Sequence, residues 1–340
     1  MFTSRQIKSR LARAVAISLF AVGVAGAAQA QERLIRASLV LSKEHSLGLA
    51  LTQTAQCVAQ KSGGKMRIQP FFDGSLGGDT AAIQQLRSGT LEMLVTAPSN
   101  LVGLLPAAAV FDLPFFFTNE KEADAALDGK TGKLLADKLP GVGVVVLTWY
   151  ENGFRNTTNS KHPINRMEDL KGLKIRAQPV PVMLDTFKAL GGFAIPLPFT
   201  ELYSAMETKT VDAQENAVPV IESSKFYEVQ KYLSMTRHTY NPGVMLYSKP
   251  LFDKLTPVEQ STLRDCALAT RDDQRRINRQ QADEGITRMK AKGLIVNDIS
   301  AEEMARMRAA VRPVHDTYIP TIGAEMMSAV QDDLKQVRGR

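Results

Sequence analysis

The sequence has little of what catalysis and metal binding draw on. Its 340 residues hold two cysteines, four histidines and one tryptophan. His45, His162, His238 and His315 are scattered, none at ligand spacing from another, and Cys57 and Cys266 stand alone. That pattern points to no metal and no cofactor. Neither a G-x-S-x-G elbow nor an H-E-x-x-H helix occurs. Gly129-Lys130-Thr131 ends like a phosphate-binding loop, but the position where such a loop needs its first glycine is Asp124. Gly74 to Gly78 is glycine-rich and precedes a helix, and a plain strand-to-helix turn accounts for it better than an anion cradle. No catalytic residue is expected, and the chain reads as a non-enzyme.

Long apolar runs and blocks of one charge are equally scarce. The one extended apolar run, 14–27, follows the basic residues Arg5, Lys8, Arg10 and Arg13 and precedes Ala28-Gln29-Ala30. Basic start, apolar middle and small residues at a cleavage point predict a signal peptide over 1–30 and export to the periplasm. The run is shorter than the roughly 20 residues a membrane span needs. The formal charge of +7 falls to +3 once those four basic residues are set aside. Nucleic-acid binding therefore has no electrostatic footprint. An exported chain opens the way to a Cys57–Cys266 disulfide, and two buried free thiols fit the sequence equally well.

What is present is alternation. Strand-like runs at 34–41, 66–72 and 91–96 are separated by helical segments at 46–61 and from Asp79, a candidate N-cap, to Gly89. This order implies a mostly parallel sheet with helices on its faces. The apolar run 107–117 reads as a buried, interrupted strand or crossover. A strand from 141 onward turns from solidly apolar to alternating near Glu151-Asn152-Gly153. Two further strands, 231–238 and 244–248, flank Asn241-Pro242-Gly243. A long helix is expected from Pro257 to about 291, with terminal helices at 300–311 and 314–337. The chain thus crosses between two α/β lobes near residues 152 and 241. The expected division is 31–152 plus 242–281 for one lobe and 153–241 plus 282–340 for the other.

The second lobe carries the candidate site. Arg176 ends the strand-like run Leu173-Lys174-Ile175-Arg176, and strand ends are where ligands gather in α/β sheets. Arginine stays protonated, and its planar fork meets a carboxylate bidentately. Arg155, just past the first crossing, adds a second cation. Asn216, read as a loop residue, can donate a neutral hydrogen bond, and Phe199 can close one side. His45, Gln178, Trp149 and Tyr150 are further polar contacts. Each residue alone also fits a surface ion pair, a turn or the core.

Several motifs in order change that balance. Ser75-Leu76-Gly77-Gly78-Asp79, Glu151-Asn152-Gly153-Phe154-Arg155 and Gly172-Leu173-Lys174-Ile175-Arg176 occur together. Pro198-Phe199-Thr200-Glu201-Leu202-Tyr203 and Val211-Asp212-Ala213-Gln214-Glu215-Asn216 follow. With these motifs the chain resembles the solute-binding proteins of tripartite ATP-independent periplasmic (TRAP) transporters, the DctP-like family, over nearly its full length. The resemblance implies a two-lobed periplasmic-binding-protein fold, type II-like, with a long helix along both lobes. It implies a small organic acid as ligand and delivery to TRAP membrane permease subunits driven by an ion gradient. A monomer is expected. It assigns the carboxylate to Arg176, with Arg155, Asn216 and Phe199 in support. An ABC-type or sensory binding protein is the alternative, and a periplasmic enzyme a more distant one. Thr96-Ala97-Pro98-Ser99-Asn100, small and uncharged, and Pro179, which lacks a backbone donor, argue for a smaller acid with an apolar body.

Overall fold

The computed structural model describes residues 32–339. The predicted signal peptide lies outside those residues. From Leu34 onward the chain forms one compact unit. Nine strands are found among the described residues: β1 (Arg33–Leu39), β2 (Met66–Phe71), β3 (Met93–Thr96), β4 (Val144–Asn159), β5 (Lys174–Ala177), β6 (Phe193–Pro196), β7 (Ala213–Ala217), β8 (Tyr232–Ser248) and β9 (Ile295–Asp298). They lie in the order β2-β1-β3-β8-β4-β7-β5-β6, with β9 also paired to β8.

The mixed α/β architecture and its long helix are as expected, and the sheet shows how the two lobes join. Outer pairs are parallel: β1 with β3, β5 with β6 and β7, and β9 with β8. The middle is an antiparallel ladder between β4 and β8, which have 16 and 17 residues. Each long strand serves both lobes. The end of β8 from Val244 to Tyr247 pairs with β3, while its start from Tyr232 to Met235 pairs with β9. The later part of β4, Arg155 to Asn159, pairs with β7. The sheets of the two lobes therefore share their longest strands.

Three sequence expectations change here. The run 107–117, read as an interrupted strand or crossover, forms no strand and holds the short helix Pro106–Phe111. The runs 231–238 and 244–248 are one strand, because Pro242 stands opposite Glu151 where the register shifts before Gly153 pairs with Asn241. An irregularity of this kind is where a strand tolerates proline. The single long helix is two, Pro257–Ala269 and Arg271–Ala291. Thr270 separates them, its hydroxyl turned back to the Ala267 carbonyl at 2.9 Å and tied to the Tyr150 hydroxyl at 2.6 Å. Such local bonding competes with helix continuation.

The helix Arg271–Ala291 runs along both lobes. Near its start, Gln274 reaches the Ser46 hydroxyl and the Glu151 carbonyl, and Asn278 reaches the Asn152 carbonyl. Toward its end, Arg288 pairs with Glu222 and Met289 enters the core of the second lobe. Cys57 of the helix Ser46–Lys61 is bonded to Cys266 of the helix Pro257–Ala269. The resemblance to a phosphate loop at Gly129-Lys130-Thr131 is filled internally, since the backbone of Lys130 and Thr131 donates to Asp333 at 3.0 and 2.8 Å.

Candidate functional site

Where β4 and β8 pass from one lobe to the other, a cavity of about 270 Å³ opens beside them. That is just below the roughly 300–1,000 Å³ typical of small-molecule sites. Arg176, Arg155, Asn216, Phe199 and Gln178 line it, as do Asp79, Thr96, Asn100, Asn152 and Asn241. Thr200 closes the far side. A side-chain carbon placed on Gly74 would meet the Thr200 methyl at 2.9 Å, so this loop of the first lobe lies against the second.

Arg176 sits at the end of β5 with 1% of its surface exposed. Its Nε donates to the Leu197 carbonyl at 2.9 Å, and its Nη1 is buried with no protein partner. Among the described residues no carboxylate forms an ion pair with it. Burial lowers its pKa to about 10, and the nearby Arg155 charge acts in the same direction, while Glu215 and Asp79 oppose them. It remains a cation at neutral pH. A buried, unpaired guanidinium is unfavourable by itself and waits for an anion.

Arg155 stands differently. Its Nε and Nη2 grip the Glu215 carboxylate, and Nη2 also reaches the Glu215 carbonyl at 2.6 Å. His238 Nε2 lies 3.2 Å from the same carboxylate. Burial would raise Glu215, but the Arg155 charge and the His238 bond outweigh it and hold the carboxyl at about 2. Arg155 thus lines the cavity with its charge already matched. Asn216 lies within β7 rather than in a loop, and one of its amide hydrogens goes to Gln214 at 2.7 Å. Phe199 packs against the cores of both lobes, its ring tilted against that of Phe226 at a centroid distance of 5.9 Å.

Three expected contacts lie elsewhere: Tyr150 is in the first-lobe core, its hydroxyl 2.6 Å from that of Thr270. Trp149 is in the core, with its indole nitrogen beside Gly132. His45 caps the helix Ser46–Lys61, its Nδ1 accepting from Leu47 at 3.1 Å, and burial pushes its pKa down to about 3. A base lowered this way destabilises the fold as pH drops from its ordinary 6.5 toward 3, because the unfolded chain binds the proton and the folded one does not. His45→Asn keeps a cap acceptor and removes the titration. Melting curves between about pH 7 and pH 4 should fall less steeply for the variant. Equal slopes would mean other groups carry the acid response.

The first-lobe wall also departs from expectation. Asp79 is the first helical residue, after the cap Gly78, and its Oδ1 accepts from the Thr96 hydroxyl at 2.6 Å. Burial raises its pKa, while the hydrogen bond from Thr96 and the Arg176 charge lower it. Asn100 donates to Thr96 at 2.9 Å. A segment that reads as small and uncharged is thus wired to a carboxylate at the cavity. Asn152 and Asn241 were legible only as crossing points. Both occupy the strand crossings, which place them between the lobes.

A two-lobed cleft with an unpaired buried arginine at its centre defines a binding protein for an anionic solute. The chain belongs to the family described as DctP, bacterial extracellular solute-binding protein, family 7, which matches residues 37–321. It is similar to the 2,3-diketo-L-gulonate-binding periplasmic protein YiaO of Escherichia coli, 34% identical over 94% of this chain and 98% of that one. Among solved structures it resembles the sugar acid binding protein DctPAm of Advenella mimigardefordensis in complex with galactonate. The two are 42% identical with a TM-score of 0.88, covering 90% of this chain and 99% of that one. A TRAP periplasmic solute-binding protein from a Polaromonas species bound to D-erythronate is 33% identical, with a TM-score of 0.84 over 88% and 98% of the two chains. The chain is a TRAP solute-binding protein. Such proteins bind small organic acids and work with membrane permease subunits.

Proposed function

We propose that the cavity takes a hydroxylated monocarboxylic acid of the sugar-acid class. Its carboxylate lies on Arg176, and its hydroxyl groups face Asp79, Asn152 and Asn241. The observation that carries this reading is the buried Arg176 fork without a counterion. Asn216 and the uncommitted part of Arg155 assist it. Asp79 supplies the second half of the argument, because a carboxylate at the opposite wall favours hydroxyl donors and repels a second carboxylate. The sugar acids bound by similar proteins agree with a polyhydroxy body. This replaces the apolar-bodied acid that the Thr96–Asn100 segment suggested from sequence.

In this reading the protein works as a periplasmic monomer exported by its signal peptide. The lobes, 31–152 plus 242–281 and 153–241 plus 282–340, close on the acid, and the permease subunits receive the closed form. Closure excludes water and so strengthens the ion pair at Arg176. The acid is carried unchanged, and mass spectrometry after incubation should return it intact.

A ligand that binds only the folded state raises its melting temperature. Thermal-shift measurements should show stabilisation by galactonate or erythronate and none by succinate. A larger shift with succinate would overturn the assignment of the Asp79 wall.

A further inference from the structure

Behind the first-lobe wall lies a buried carboxyl that touches no ligand position. Asp112 follows the short helix Pro106–Phe111 and is completely buried, and it does not line the cavity. Its Oδ1 accepts from the Ser99 hydroxyl at 2.5 Å. Ser99 has only one hydrogen, so its oxygen is left to accept from Asn241 Nδ2 at 3.3 Å. With its amino group turned to Ser99, Asn241 presents Oδ1 to Asn152 Nδ2 at 3.1 Å. Asn152 Nδ2 also approaches the Pro242 carbonyl at 3.4 Å. Its remaining group, Oδ1, is buried without a protein partner.

We infer that Asp112 is a specificity-determining positioning residue: by anchoring the relay Ser99–Asn241–Asn152 it makes the first-lobe wall accept hydroxyl groups. The inference rests on the hydroxy-acid reading of the cavity. The direction of the relay follows from its buried end, since an ionised carboxylate only accepts. At each step one hydrogen is directed toward Asp112, and Asn152, which lines the cavity, keeps its Oδ1 as an acceptor. Losing that anchor frees Ser99 to rotate and the two amides to turn over, which presents N–H groups to the ligand instead.

The groups that act on Asp112 are few. Burial raises it to about 7, while the Ser99 hydrogen bond and the Arg155 charge lower it and Glu215 raises it. His238 lies behind Glu215, and His315, on the packed helix Arg312–Ile322, is engaged with the Pro114 carbonyl at 2.7 Å. Ionised Asp112 and bound hydroxyl donors favour each other, so affinity should rise with pH across this range.

Calorimetric titration with galactonate at about pH 6 and about pH 8 tests the relay. Wild type should bind at least about threefold tighter at the higher pH. Asp112→Asn, equal in shape and unable to titrate, should lose that slope. Ser99→Ala, which cuts the relay while leaving the Asp112 side chain itself in place, should weaken binding about tenfold at the higher pH, the value of one such hydrogen bond to a charged partner. An Asp112→Asn protein that keeps the wild-type slope overturns the relay, as does full affinity in Ser99→Ala. Wild type that binds galactonate with no slope also overturns it. Failure of wild type to bind galactonate or erythronate at either pH overturns the hydroxy-acid reading itself, and the relay with it.

Discussion

Arg176→Met should abolish acid binding and leave the ligand-free protein melting no lower than wild type. Removing one partner of a buried, hydrogen-bonded charge pair costs about 2–5 kcal/mol, or roughly 30- to 4,000-fold in affinity. The ligand-free state is affected in the opposite sense. There the guanidinium is buried with Nη1 unpartnered, and burial lowers its pKa to about 10. Methionine fills similar space without the desolvation cost. It forgoes one hydrogen bond to the Leu197 carbonyl, worth about 1 kcal/mol. Calorimetry and thermal melting of the same variant separate the two roles. A variant that melts far below wild type would make Arg176 a structural residue, and one that binds the acid normally would move the anchor elsewhere. Arg176→Lys should also bind weakly, because a point charge does not reproduce the fork.

Removing the disulfide should produce the largest loss of stability while sparing affinity. Cys57 and Cys266 are 209 residues apart, and the loop they close runs from β2 through β8. In the chain-entropy description a closure of that length contributes about 5 kcal/mol, and removal of native disulfides typically costs about 2–5 kcal/mol. At about 2–4 °C per kcal/mol for domains somewhat smaller than this one, Cys57→Ser with Cys266→Ser should melt about 5–15 °C lower. Both cysteines lie in helices packed on the first-lobe core, so neither lobe closure nor the Arg176 anchor depends on them. The Kd for galactonate should stay within about twofold of wild type. An unchanged melting temperature, or a tenfold loss of affinity, would contradict this account.

Much of the architecture was legible because local rules agree with the final fold. Apolar periodicity, the glycine that ends the helix Asp79–Ser88, and Pro257 at a helix start are local signals, and the elements formed where they stand. Arg176 was legible for a related reason, since strand-end position and guanidinium chemistry are both written in one short segment. Boundaries that depend on distant partners were not. Pro242 stays within β8 because β4 bends opposite it, and Thr270 breaks the long helix because Tyr150 and Thr54 lie beside it.

The sequence by itself determined that the chain is an α/β protein with two crossings and an arginine suited to a carboxylate. Tertiary structure decided which charges are free. Arg155 and Arg176 are the same residue type near the same cavity, yet only Arg155 finds a carboxylate, because β7 runs beside β4 and brings Glu215 to it. Tertiary structure also sent His45 to a helix cap and Trp149 to the core, and joined Asp79 to Thr96 and Asp112 to Ser99 across separations of 17 and 13 residues. Burial and pairing arise from contacts between segments far apart in the chain, and those contacts leave Arg176 without a carboxylate at the cavity while matching Arg155 with Glu215.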